Sequence, residues 1–481
     1  MIDLVFLGFI GCVLMLGVRR PFIWVLLYLY IDIVAPQQIG YGVIQSVPVS
    51  MIAFAAAFGG WLMIDNKAPA RFTFRQGLMV ALLLYCWWTT QSADFLESAL
   101  TKWDWVWKAL LFAIFLPLTL TTKLRIESAI IVLLLSVASI VIGASIKTVL
   151  GGGGYENQLF LVSTNSGLYE SSVLACIAIA VIPMVIWAMQ NSTIFPPDWR
   201  SKTFCIALIF ACLLIPVGTE ARTGLVCIAV LGAIMFRHVK QKALFAAGGM
   251  VLGLISLPFL PSSFYDRMST ISNYQSDESA STRVAVWTWT MEYVATNPMG
   301  GGFDAFKGNS FTYTLPVEEE NGNTSVVSYQ EVTDEGRAYH SAYFEVLGEQ
   351  GFIGLIIWSI LQITGLLHMR LIIRKWRDTQ DDAHKWKAPL AAALMKAQII
   401  YLVGALFTGI AYQPFMLVLL AIQIGLTTYL NREEQSEETP RRGKRSSKRA
   451  VKHAGPSRGK RAKPAGGWPQ PAAPQLNIEK P

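Results

Sequence analysis

Charge is what this sequence has least of. Only 15% of its 481 residues are Asp, Glu, Lys or Arg, against about 25% in an ordinary soluble domain. Apolar residues make up 53%. They gather in runs of roughly 15–22 residues separated by short polar connectors. Apart from the central segment 261–345, no stretch is long and polar enough to fold as a soluble domain. The composition therefore predicts an all-α, polytopic membrane helical bundle of about 12–13 spans, with one long periplasmic loop containing short helices.

Metal-ligand spacing is also missing. The six cysteines, Cys12, Cys86, Cys176, Cys205, Cys212 and Cys227, all fall inside apolar runs. They read as small buried hydrophobes, and they imply no disulfide framework. No acidic pair or His/Cys/Asp cluster marks a metal site, and Glu318, Glu319 and Glu320 read as solvated. No Ser/His/Asp nucleophile arrangement is evident. No metal and no cofactor is expected. The first residues lack the basic segment of a cleavable signal peptide, so 1–18 reads as a retained first span.

The net charge is +8, and the tail 431–481, with thirteen Lys/Arg against five Asp/Glu, accounts for all of it. The basic total is therefore no reason to expect nucleic acid as a partner. The tail is rich in Lys, Arg, Pro, Gly and Ser, a composition that predicts disorder. Its basic residues favour anionic membrane lipid, at about 1 kcal/mol each near the surface.

Spans are expected roughly around residues 10, 28, 53, 85, 114, 136, 180, 211, 230, 252, 357, 399 and 422. Alternate connectors are basic, carrying Arg19/Arg20, Lys67/Arg71/Arg75, Lys123/Arg125, Arg200/Lys202, Arg237/Lys240/Lys242 and 370–387. The positive-inside rule puts them in the cytoplasm. The chain then starts outside and ends inside. Segments 91–107, 151–171, 219–222 and 261–345 are exported. The last holds twelve Asp/Glu against four Lys/Arg. Trp87, Trp88, Trp103, Trp105 and Trp107 crowd one exported region, as interfacial anchors or as a platform for sugar rings or a lipid headgroup.

Four exported features could carry chemistry. TEARTG places Glu220 and Arg222 where one span ends and the next begins, either as a pair or with the arginine facing an anionic ligand. A helical pattern over 281–294 puts Arg283 in a first turn, where its charge opposes the helix dipole and hints at a binding role. Arg267 is a weaker candidate of the same kind. Gly300, Gly301 and Gly302 permit close backbone approach to a ligand or another helix. Finally, His340 lies in AYHSAYFEVLGEQGFIG, where the polar loop turns back into apolar sequence. With a helix starting near Ser341, His340, Tyr343 and Phe344 would share a face. An imidazole can accept a proton at neutral pH, and arginine forks suit phosphate. Together they suit transfer from a lipid-linked diphosphate donor.

The order TEARTG, RMSTI…SDESASTRVAVW, NPMGGGF, HSAYFEVLGEQGFIG resembles the O-antigen ligase / Wzy polymerase superfamily. It is most similar to the O-glycosylation ligases associated with exosortase A systems, as is RRPFIWVLLYLYIDIVAPQQIGYG. The resemblance implies an N-terminal membrane region at 1–122, a ligase-like domain at 123–430 with its loop at 261–345, and a tail at 431–481. It implies inverting, metal-independent glycosyl transfer from undecaprenyl diphosphate at the periplasmic face. The family's arginines fall on Arg222 and Arg283, and its histidine on His340. The partners would be a lipid-linked glycan donor and a protein or lipid acceptor, including Ser or Thr of an exported protein. A Wzy-type polymerase is the nearest alternative. A transporter or flippase predicts ionisable residues within the spans, which are nearly free of charge.

Overall fold

Among the described residues, each apolar run becomes a helix. The computed structural model describes residues 2–40, 42–67, 69–150, 167–237, 241–244, 247–248, 250, 278–321 and 324–453. The first half holds α1 (Ile2–Gly17), α2 (Phe22–Val34), the short α3 (Pro36–Ile39) and α4 (Val43–Ser46), α5 (Val49–Met63), α6 (Phe74–Gln91), α7 (Leu96–Thr119) and α8 (Lys123–Val149). Then follow α9 (Ser171–Asn191), α10 (Trp199–Gly218), α11 (Arg222–Phe236), α12 (Glu278–Thr296), α13 (Ala342–Trp376), α14 (Lys387–Gly404) and α15 (Pro414–His453). Every expected span centre falls in one of these helices except that near residue 252, which lies outside the described residues. Among the described residues, five helices are long and apolar enough to cross a membrane: Lys123–Val149, Ser171–Asn191, Trp199–Gly218, Ala342–Trp376 and Pro414–Ser436. The protein is an all-α, multi-pass membrane bundle.

Local sequence sets the helix starts. Thr73 and Gln76 form a reciprocal capping box on α6, Thr122 caps α8 by accepting from Arg125 N–H at 3.3 Å, and Asp198 caps α10 by accepting from Ser201 N–H at 2.7 Å. Such caps satisfy donors that a helix cannot satisfy internally. Helix α9 is buried almost throughout, with α8, α10, α11 and α14 packed around it.

Among the described residues, several basic connectors meet at one end of the bundle. Arg125 makes a two-pronged ion pair with Asp65 at 2.6 and 2.8 Å and lies 5.0 Å from the Phe22 ring. Lys123 lies over Trp386. Glu127, one turn into α8, accepts from Ser192 Oγ at 2.8 Å and Ile194 N–H at 2.9 Å. The loops after α5, α7, α9 and α13 therefore meet. The opposite end collects the starts of α9, α11, α13 and α15.

Two elements differ from the sequence expectation. The polar loop carries an antiparallel hairpin as well as a helix: β1 (Ser310–Asn321) pairs with β2 (Thr324–Glu335), Ser310 opposite Glu335 and Asn321 opposite Thr324. The tail is helical as far as His453. The apolar turns of α15 already supply the nucleus, and extending a helix costs far less than starting one. Residues 454–481 lie outside the described residues.

Candidate active site at one end of the bundle

His340 sits in a left-handed turn (φ +47°) between the hairpin and α13. A side chain in that region costs roughly 1–3 kcal/mol and persists only where its surroundings hold it. Here both flanks are fastened. Gly336 N–H donates to Asn309 O at 2.9 Å. Asn309 Nδ2 donates to Arg337 O at 2.8 Å, and Asn309 Oδ1 accepts from Arg337 N–H at 2.9 Å. These bonds close the base of the hairpin. Trp287 of α12 donates from Nε1 to Tyr339 O at 2.9 Å and stacks on Phe344, 4.9 Å between centroids and 4° from parallel. On the other side, Ala342 N–H donates to Ala405 O at 2.8 Å. The chain has no freedom to relax the turn.

The imidazole is open to solvent on one side and crowded on the other. That crowding lowers its pKa below the ordinary value, and the positive charges of Arg283 and Arg337 lower it further. A depressed pKa means the ring is neutral at neutral pH and ready to accept a proton. Arg337 is tied to Asp334 at 2.5 Å, which partly cancels its charge. Sequence reasoning missed Arg337, although its position three residues before His340 was visible.

Arg283 lies farther into its helix than expected. Helix α12 begins at Glu278, so Arg283 falls in the second turn, where the dipole argument for a binding role loses force. Arg222 is the first residue of α11, and Glu220 before it is buried in a left-handed conformation (φ +49°). Their turn belongs to the same end of the bundle as His340. A Cβ on Gly404 would meet Cys227 of α11 and Cys176 of α9, and the next residue, Ala405, binds Ala342. Arg267 lies outside the described residues, as do Thr164, Asn165 and Ser166 of the exported loop.

Three expected supporting residues have structural work. Ser341 is buried and precedes α13 in extended conformation, without a side-chain capping bond. Tyr343 donates to Leu402 O at 3.0 Å and packs edge-on against Trp358, tying α13 to α14. The glycine run approaches a helix. Helix α13 is broken at Gly351 (φ 61°, ψ −163°). The break frees the carbonyls of Gly348 and Glu349, which accept from Gly301 N–H at 3.0 Å and Gly302 N–H at 2.9 Å. A Cβ at Gly301 would fall 2.2 Å from the Tyr293 hydroxyl.

Beneath the site lies a charged cluster the sequence did not reveal. Lys102 Nζ of α7 bridges Glu345 and Glu349 of α13, 2.7 Å from each, and lies 3.9 Å from Asp304. The carboxylates take further donors: Asp304 N–H to Glu349 at 3.0 Å, Ala411 N–H to Glu345 at 3.0 Å, and Ser98 Oγ to Asp304. Phe303 and Tyr412 flank the ammonium. Glu170, capping position of α9, has its pKa raised to about 7, first by burial and then by the negative charge of Glu345. Among the described residues no group of three or more His, Cys, Asp or Glu could hold a metal ion.

A bundle of apolar helices with His340 and the Lys102 cluster at one end is the architecture of a multi-pass membrane protein. Residues 206–359 match the O-antigen ligase family, and residues 1–193 match a family of unknown function, DUF5935. The match over 206–359 supports the O-antigen ligase / Wzy superfamily, and with it a function of the membrane glycan ligase or polymerase type. That family implies a lipid-linked glycan donor. A search of curated proteins returns no match.

Proposed function

We propose that this protein moves a preassembled glycan from undecaprenyl diphosphate to a hydroxyl acceptor at the periplasmic face of the inner membrane. The acceptor is a Ser or Thr of an exported protein, as in the exosortase-associated group. The C-terminus is cytoplasmic, and residues 123–430 form the transferase body behind the N-terminal region 1–122.

His340 is the general base. Its neutral imidazole takes the proton of the acceptor hydroxyl as that oxygen attacks the anomeric carbon. The bond from that carbon to the diphosphate oxygen breaks, the electron pair leaves with undecaprenyl diphosphate, and the configuration inverts. Arg222 and Arg283 bind the departing diphosphate and offset its charge without a metal ion, a task the sequence also assigns to Arg267. His340 later returns its proton to solvent. The observation that carries this reading is an imidazole kept neutral beside arginines in a fastened, strained turn.

The test is transfer by purified protein reconstituted with its lipid-linked donor. His340→Gln keeps the ring's approximate size and a hydrogen-bonding end. It should lower the rate by about 10²–10⁴-fold, the usual contribution of a positioned base, while donor binding stays unchanged. Full transfer by this variant refutes the mechanism.

A further inference from the structure

A cavity of about 390 Å³ opens between the end of α2, the start of α15 and the middle of α7. Its size is that of a small-molecule site. Three buried acceptors in its lining residues, Asp32 Oδ2, Gln37 Oε1 and Gln38 Oε1, have no hydrogen-bond partner among the described residues. Buried polar atoms are almost always satisfied, so three orphans in one cavity point to a partner that the described residues do not supply. The wall also carries Lys108, paired with Asp104 at 2.8 Å, and the rings of Trp105 and Tyr169.

The chemistry selects the ligand. Orphan acceptors call for donors. Sugar hydroxyls donate and also accept, which suits Ser50 and Lys108 in the same wall. Aromatic faces pack against the C–H faces of a sugar ring. A metal ion fits poorly, because among the described residues no group of three or more His, Cys, Asp or Glu could hold one.

The cavity is tied to the start of α13, next to His340, through one loop. Gln413, Pro414 and Phe415 line it, and the loop they terminate is bound at two points to the start of α13. Ala405 O accepts from Ala342 N–H, and Ala411 N–H donates to Glu345. Tyr169 of the wall precedes Glu170 and donates to Val34 O at 2.5 Å.

We infer that this cavity is a glycan-binding subsite, in which Asp32, Gln37 and Gln38 accept hydrogen bonds from sugar hydroxyls. This rests on the glycan-transfer reading above. The sugars are those of the glycan carried by the donor lipid, since a Ser or Thr acceptor carries none. The subsite lies largely within the region that matches a family of unknown function, and it gives that region a task in the reaction.

The probe is the glycan released by mild acid from the host's own lipid-linked pool, titrated calorimetrically into detergent-purified full-length protein. Asp32→Leu and the pair Gln37→Ala/Gln38→Ala should each weaken binding about tenfold or more, the scale of a hydrogen bond to a charged group or of two neutral ones. Asp32→Leu also removes an unsatisfied carboxylate from an apolar helix, so its melting temperature should hold or rise. Weaker binding in a protein of equal or greater stability separates a ligand contact from a structural one. Wild-type affinity in both variants, no saturable binding by wild type, a lowered melting temperature for Asp32→Leu, or an isotherm with sodium or calcium in place of the glycan would each overturn the proposal. In the transfer assay, a raised KM for the lipid-linked donor alone assigns the subsite to the donor. A raised KM for the protein acceptor alone would overturn it. Binding is read without turnover, so His340→Gln should still bind the glycan, and failure of the base mechanism leaves this test intact.

Discussion

Replacing Lys102 with methionine keeps most of the stem's volume and removes the ammonium that holds Glu345 and Glu349 apart. The side chains of Lys102, Glu345 and Glu349 are only 13%, 9% and 0% exposed. The ion pairs therefore belong to the buried regime, where deleting one partner costs about 3–5 kcal/mol because the survivors stay charged and desolvated. A surface pair would cost under about 1 kcal/mol. Unfolding entropy is about 2.1 cal/mol/K per residue. Over the compact unit 1–430 it amounts to about 0.9 kcal/mol/K, so the loss corresponds to a fall in melting temperature of roughly 3–5 °C. The assay is thermal unfolding of detergent-purified protein. The triple variant Lys102→Met, Glu345→Gln, Glu349→Gln leaves no uncompensated charge at these three positions and should regain most of the loss. If Lys102→Met melts like wild type, or if the triple variant melts lower still, the cluster does not hold α7 to α13 in the way its geometry indicates.

Two further outcomes follow from the site. The acid limb of the pH–rate profile should lie below the ordinary histidine value, since crowding, Arg283 and Arg337 all lower the His340 pKa. Arg283→Gln removes a positive charge, raises that pKa and should move the limb to higher pH, whatever it does to the maximal rate. A limb that stays in place or moves to lower pH contradicts the assigned base. Gly351→Ala should be poorly tolerated. Its backbone conformation is nearly exclusive to glycine and costs about 1–3 kcal/mol for other residues, and the new Cβ would fall 2.2 Å from Pro298 O. Membrane yield and melting temperature at wild-type levels would show that the break in α13 is dispensable.

The bundle was legible because lipid imposes long apolar runs, and charge bias marks their ends. Three of the basic connectors assigned to one side from composition, those after α5, α7 and α13, meet through Arg125–Asp65 and Lys123–Trp386. His340 was legible because a polar segment returning to apolar sequence draws attention to its ionisable residues. The Lys102 cluster was not, because its members are some 240 residues apart and each alone resembles a solvated charge at a helix end. The hairpin left a trace that went unread. Phe311, Tyr313, Leu315 and Val317 alternate with other residues at the strand period, and Asn321-Gly322 is a strong hairpin turn signal. The glycine run was read as permitting close approach, but a break in α13 that would draw it there had no local sequence signal beyond Gly351 itself.

The two matched regions, 1–193 and 206–359, work as one body. Lys102, Asp94 and Thr89 belong to the first, and Glu345, Glu349, Gly301 and Gln350 to the second. Asp94 N–H donates to Gly301 O at 2.9 Å, its carboxylate takes the Tyr293 hydroxyl, and Thr89 Oγ1 donates to Gln350 Oε1 at 2.6 Å. These contacts surround the break in α13 and the start of the helix that follows His340. A ligase region without its N-terminal partner would keep the residues assigned to proton transfer and diphosphate binding. It would lose the ammonium that neutralises Glu345 and Glu349, and the helices against which the glycine run is pressed. The N-terminal region is therefore part of the support that keeps His340 in its strained turn.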